Sequence, residues 1–210
     1  MDYEAKITTC SILIFQSGFR PARSTTTSLL DVYDNTKSVM DEVCVTVMVL
    51  FDYTQAFPSI IYEILFQKMP LFGFSNEVVK WFESFLWQRS HSVRVGGNQS
   101  SCLDINRGVT QGSPLSSILF SIYINDLPSI IKFCKYHLYA DDLQIYIKCS
   151  SLEIQETIKK LNADITAIEH WAKDQGLQLN PGKTQLIILG NKVDISYIPT
   201  HKHIMLSVSY

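Results

Sequence analysis

Lys135-Tyr136-His137-Leu138-Tyr139-Ala140-Asp141-Asp142-Leu143-Gln144-Ile145-Tyr146-Ile147 decides the fold. Two runs rich in Tyr, Leu and Ile flank a tight Ala-Asp-Asp connection, which reads as a β-hairpin with adjacent carboxylates at its tip. Two neighbouring anions are costly to hold together unless cations neutralise them, and hard divalent ions such as Mg²⁺ prefer carboxylate oxygens. Asp is also an ordinary turn former, so an isolated Asp-Asp pair reads first as a solvated turn. The metal reading needs a third carboxylate and groups for a phosphate elsewhere in the chain.

Upstream, Val43-Cys44-Val45-Thr46-Val47-Met48-Val49-Leu50-Phe51 is nearly all apolar and β-branched, the pattern of a central strand buried on both faces. It ends at Asp52, where sheets of the α/β type commonly place their chemistry. Tyr53-Thr54-Gln55-Ala56-Phe57-Pro58 then leads into an apolar helix around Ile60 to Lys68, stopped by Pro70. Phe57 either fills the core or faces whatever Asp52 holds.

Gln16 to Thr27 contains Gly18, Pro21, Arg20 and Arg23 ahead of a helix that Ser24 or Thr25 can cap. Guanidinium forks and free backbone N–H groups at a helix N-terminus both favour a phosphate, although two loop arginines are as readily solvated. Ser75 can cap an amphipathic helix whose buried stripe is Val78, Val79, Trp81, Phe82, Phe85 and Leu86. His91 to Val95 and the run after Gly96-Gly97-Asn98 read as a hairpin.

Arg107-Gly108-Val109-Thr110-Gln111-Gly112-Ser113-Pro114 is a glycine-bearing loop opening a helix over Leu115 to Leu127, with Ser113 fitting the N-cap and Pro114 the first helical position. Such a lead lets a base or sugar approach the backbone, and is also ordinary capping. Ser150-Ser151-Leu152-Glu153 is a capping box before a long helix carrying Ile158, Leu161, Ile165 and Ile168, ended by Gly176. Leu179-Asn180-Pro181-Gly182-Lys183-Thr184 sets one lysine just before a short strand, Gln185 to Leu189. His201 and His203 read as part of a polar tail, not as metal ligands.

Composition bounds the rest. With 210 residues, 46% hydrophobic and 18% charged, the chain can bury a core, most simply as one domain. No apolar run approaches the roughly 18 residues of a membrane span. Ser11 to Phe15 is too short for a secretory core, so the expectation is an intracellular protein of nucleus or cytoplasm. Five cysteines without a Cys-x-x-Cys pair suggest neither a disulfide framework nor a zinc site. A net charge of -2 argues against a surface that grips nucleic acid as a whole.

Five pieces in order resemble the motifs of reverse transcriptases: Ser-Gly-Phe-Arg-Pro-x-Arg-Ser-Thr-Thr (17 to 26), Phe-Asp-Tyr-x-x-Ala-Phe (51 to 57), Gly-Val-x-Gln-Gly-Ser-Pro-Leu-Ser (108 to 116), Tyr-Ala-Asp-Asp (139 to 142) and Leu-Asn-Pro-x-Lys-Thr (179 to 184). The resemblance is greatest to non-LTR, LINE-type retrotransposons and runs over residues 16–190, between a divergent segment 1–15 and an irregular tail 191–210. It implies an α+β fold, a right-hand polymerase palm with an antiparallel sheet backed by helices, carrying partial fingers and no thumb.

It further implies that Asp52 and Asp141, with Asp142 beside them and the carbonyl of Tyr53, hold two Mg²⁺ ions, for which Mn²⁺ can substitute, and that the reaction is RNA-directed DNA synthesis from a primer. Phe57 looks like the steric gate against a ribose 2′-hydroxyl. Arg20 and Arg23 resemble residues on the incoming triphosphate, Gln111 and Gly112 those that seat the templating base and sugar, and Lys183 one that protonates or stabilises pyrophosphate. The implied partners are a primed RNA or DNA template, deoxynucleoside triphosphates and further segments of a longer polyprotein.

The departures are Pro58 where the family usually has Asp, Thr110 where proline is common, an unfamiliar lead before Gln16, and no recognisable thumb, endonuclease or zinc-knuckle pattern. They leave two expectations: an RNA-directed DNA polymerase domain, or a truncated or co-opted module that folds and binds nucleic acid without turnover.

Overall fold

The computed structural model describes residues 16–18, 24, 26, 30, 44–150 and 153–190. Those described residues fall into two compact units, Gln55–Ile124 and the remainder.

The second unit is built on one antiparallel sheet of β1 (Cys44–Phe51), β7 (Lys135–Tyr139), β8 (Asp142–Ser150) and β10 (Gln185–Leu189), in the order β10-β1-β8-β7. β1 lies in the interior of the sheet, and Val45, Thr46, Val47, Met48 and Val49 are all buried, so both faces of this strand are covered as its β-branched run predicts. Tyr146 on β8 is directly opposite Met48 and packs with it. A short pair, β2 (Tyr53–Thr54) with β9 (Gln178–Leu179), continues beyond the end of β1.

The unit's long helix, α4 (Ile154–Asp174), buries Ile158, Leu161, Ile165 and Ile168 on one stripe against β8 and β9. It ends in a Schellman motif: Gly176 takes the left-handed conformation (φ 65°), Gly176 N donates to Lys173 O (3.0 Å) and Leu177 N to Ala172 O (2.8 Å). The expected capping box does not form. Ser150 stays in β8 and Glu153, not Ser150, is the N-cap residue, with its carboxylate accepting from Ser150 Oγ (3.1 Å).

In the first unit, α1 (Tyr62–Lys68), α2 (Asn76–Trp87) and α3 (Pro114–Ile124) pack around Ile60, Tyr62, Leu65, Leu86, Leu119, Phe120 and Tyr123, all fully buried or nearly so; of the stripe expected on α2, Val79, Phe82 and Leu86 are buried, whereas Val78, Trp81 and Phe85 are exposed. α1 starts two residues later than expected because Phe57–Ser59 first makes a 3-10 turn. Pro70 falls in a second 3-10 turn, Met69–Phe72, closed by left-handed Gly73. Helix α3 begins at Pro114 as predicted but stops at Ile124, short of Leu127. In the second unit, Pro128 then sits in the 3-10 turn Leu127–Ile130.

Nested two-residue strand pairs, β3 (Ser90–His91) with β6 (Leu103–Asp104) and β4 (Arg94–Val95) with β5 (Asn98–Gln99), form the expected hairpin around Gly96-Gly97. No helix among the described residues is long and apolar enough to cross a membrane.

Candidate active site

Strand register brings four of the sequence-predicted residues to one end of the second unit's sheet. Phe51 pairs with Leu143, so Asp52 and Asp142 are the next positions outward on adjacent strands. Leu50 pairs with Gln185, which sets Lys183 two residues beyond the same end of β10. On the other side of β8, Tyr139 pairs with Asp142, leaving Ala140-Asp141 as a two-residue turn. Asp142 is thus the first residue of a strand, and only Asp141 belongs to the turn.

That turn needs an unusual backbone. Ala140 has φ 55°, a left-handed conformation that costs a non-glycine residue about 1–3 kcal/mol. Alanine is not a turn-forming residue. The compensation comes from far upstream: the buried side-chain amide of Gln16 donates from Nε2 to Ala140 O (2.9 Å) and accepts at Oε1 from Ala140 N (2.7 Å).

Asp52 is fixed through its main chain, whose carbonyl accepts from Asn180 N (2.8 Å). Asn180 O in turn accepts from Lys183 N (3.2 Å), Thr184 N (2.9 Å) and Thr184 Oγ1 (2.8 Å), which folds the Pro-Gly-Lys turn back toward Asp52. Lys183 Nζ lies 3.7 Å from Asp52 Oδ2. That oxygen is itself buried and accepts no hydrogen bond among the described residues.

Electrostatics ties the carboxylates together. Asp142 is pushed above the usual carboxylate range, first by desolvation and then by the charges of Asp141 and Asp52. Burial raises the Tyr53 hydroxyl as well, with the Asp141 charge adding to it, and that hydroxyl has no hydrogen-bond partner among the described residues. Among the described residues, no group of three or more His, Cys, Asp or Glu side chains stands close enough to hold a metal ion. The donor chemistry still suits a hard cation: Asp52 offers a buried oxygen that accepts no hydrogen bond from any described residue, and Asp142 resists ionising beside two like charges.

Phe57, Gln111 and Gly112 belong to the first unit. Phe57 is buried, its ring stacked on Phe120 with centroids 4.6 Å apart. Its carbonyl accepts from Val109 N (3.0 Å), and Ile60 O accepts from Gly108 N (2.8 Å), zipping the 57–60 turn to the glycine loop. Pro58 costs this turn no hydrogen bond, because it stands in the first turn of a 3-10 helix, where N–H groups lack partners anyway. Gln111 and left-handed Gly112 (φ 87°) are exposed, with open space where a Gly112 side chain would point.

Arg89 anchors the loop's start and had no signal in the sequence. Its Nη2 donates to Gly108 O and Tyr62 Oη (both 2.6 Å) and its Nη1 to Thr110 Oγ1 (3.0 Å). Arg20 and Arg23 lie outside the described residues, as does nearly all of the helix expected after them.

A family model described as reverse transcriptase (RNA-dependent DNA polymerase) matches residues 4–204. The RNA-directed DNA polymerase from mobile element jockey of Drosophila melanogaster is 28% identical over 194 residues, covering 89% of this chain and 21% of its own length. The probable RNA-directed DNA polymerase from transposon BS of the same organism is 29% identical, over 80% of this chain and 19% of its own. The chain therefore spans about a fifth of the length of these relatives. Among solved structures, apo telomerase from Candida tropicalis aligns over 88% of this chain and 35% of its own at 14% identity, with a TM-score of 0.61, which shows a shared fold.

Proposed function

The chain belongs to the reverse transcriptase family, with non-LTR retrotransposon polymerases among its relatives, and from that premise we propose that it extends a primer 3′ end with deoxynucleotides on an RNA template. The observation that carries this reading is the convergence of Asp52, Asp141, Asp142 and Lys183 at one end of the sheet, from three separated motifs.

Members of this family use divalent metals. Asp52 and Asp141, with Asp142 and the Tyr53 carbonyl beside them, are the groups that would hold Mg²⁺ or Mn²⁺ here; a bound ion lowers the cost of ionising the primer hydroxyl and of developing charge on the leaving group. Lys183, paired with Asp52 at 3.7 Å, supplies a cation that can pass from that carboxylate to the pyrophosphate oxygens or donate a proton to them. Phe57 would fill the space of a ribose 2′-hydroxyl and select deoxynucleotides. Exposed Gln111 and Gly112 leave backbone accessible to the templating nucleotide. Arg20 and Arg23 would meet the triphosphate. Template, primer and triphosphates are the partners, and the length of the relatives supports assembly within a longer polyprotein.

Primer extension on RNA and DNA templates, with Mg²⁺ and with Mn²⁺, tests the proposal. The parent chain should add deoxynucleotides, and Asp52→Ala or Asp141→Ala should abolish addition. An Asp141→Ala chain as active as its parent would remove the basis for this site.

A further inference from the structure

Gln16 does more than lie near the catalytic turn. Its side chain is buried, and its amide reproduces on Ala140 the paired donor and acceptor of a neighbouring strand: Nε2 donates to Ala140 O (2.9 Å) while Ala140 N donates to Oε1 (2.7 Å). Gly18 N also donates to Oε1 (2.9 Å), so two N–H groups fix which end of the amide is the oxygen. Ser17 N donates to Leu138 O (2.8 Å), adding a parallel bridge between Gln16 and Leu138. Gly18 is packed so closely that a Cβ there would stand 2.5 Å from Ala140 N, so no larger residue fits between this segment and the turn.

We propose that Gln16 is a positioning residue that holds Ala140 in its left-handed conformation and thereby sets where the Asp141 carboxylate points. A left-handed alanine is an unfavourable state that persists only when its surroundings over-determine it. Here the surroundings are one amide group engaging both backbone atoms of that residue. Releasing it frees Ala140 to relax, and Asp141, the next residue, turns with it. The inference rests on the reading of Asp141 as a metal-binding carboxylate, but the clamp itself can be measured without metal.

The test uses the whole chain, isotope-labelled, as parent, Gln16→Leu and Gly18→Ala. Leucine keeps the bulk and loses all three hydrogen bonds; alanine at 18 keeps Gln16 but wedges it from the turn. Amide hydrogen exchange at Ala140 should accelerate at least tenfold in both variants while exchange at Val47 and Ile145 stays unchanged, and the Asp141 amide resonance should shift. With Mn²⁺ as probe, the concentration that half-broadens the Asp141 and Asp142 resonances should rise at least fivefold. Unaltered Ala140 exchange in a folded Gln16→Leu chain overturns the proposal, as does faster exchange with an unmoved Mn²⁺ midpoint. Should Gln16→Leu fail to fold, Gly18→Ala decides. A parent chain whose Asp141 and Asp142 resonances ignore Mn²⁺ would sink the metal reading alone; Ala140 exchange and the Asp141 shift would then decide the clamp.

Discussion

Phe57 lies five residues past Asp52 in a strand-to-helix turn, where an aromatic ring can fill the core, meet a substrate, or do both. Its ring is stacked on Phe120, so replacing it removes buried packing whatever else it does. Phe57→Ala is expected to cost about 3–5 kcal/mol in urea unfolding, and, as a separate readout, to raise ribonucleotide relative to deoxynucleotide incorporation by about tenfold or more. An active variant with unchanged sugar preference would return Phe57 to packing alone. In the sequence Gly108 shows only as a loop former, whereas its position is sterically dictated: with φ 81°, a Cβ there would meet Pro58 O at 2.5 Å. Gly108→Ala should therefore lower stability by about 1–3 kcal/mol, measured by the same unfolding. The site's electrostatics gives a third expectation. Asp142 has its pKa raised in the fold by desolvation and by Asp141 and Asp52. Protonation of Asp142 therefore favours the fold, a contribution fully present below the unfolded pKa of about 3.9 and lost as pH rises through the higher folded value. In chelator, Asp142→Asn should then raise the melting temperature at pH 7, with the gain shrinking toward pH 4. Asp142 is solvent-exposed, so screening keeps that gain below about 1 kcal/mol.

At the level of elements, the strands that matter most were the easiest to read, because a β-branched run with no charge, such as Val43 to Phe51, has no competing structure. The hairpin of β7 and β8 was equally plain, but its turn type was not: nothing in Tyr-Ala-Asp-Asp announces a left-handed alanine, since the group that compensates it is Gln16, 124 residues away. Asp164 was hidden for a similar reason. It lies on the buried stripe of α4 among isoleucines and leucine, where pattern reading expects an apolar residue. Its carboxylate accepts from Lys132 N (3.0 Å), Phe133 N (2.9 Å) and Cys134 N (2.7 Å), the three N–H groups immediately before β7. One helix residue thus fixes where the strand leading into the Ala140-Asp141 turn begins. Asp164→Ala would strand three N–H groups and should cost on the order of 3 kcal/mol, read by urea unfolding. A loss within about 0.5 kcal/mol would mean that water replaces the carboxylate and that β7 is anchored elsewhere.

Over the whole molecule, affinity for a primed template turns on charge. The chain carries 18 Lys and Arg against 20 Asp and Glu, and a polyanion is held chiefly by basic side chains that displace its counterions. Of the basic groups at the candidate site, Lys183 is already engaged with Asp52. The acidic end of the sheet also repels phosphate until cations neutralise it, so divalent metal should strengthen binding at constant ionic strength. A chain so balanced can make few phosphate contacts. With two, the counterion relation gives a loss of about tenfold in affinity between 50 and 200 mM salt; eight would give a loss of more than 10⁴. We expect the shallow case: fluorescence anisotropy with a labelled RNA–DNA primer-template should find weak binding that falls by about tenfold across that range and is strengthened by Mg²⁺. Asp52→Asn should weaken the Mg²⁺ enhancement while improving binding in chelator, since it removes a negative charge and a metal ligand together. Binding that falls by several thousandfold across the same range would instead require a dense basic surface, which the balance of charge in this sequence does not supply.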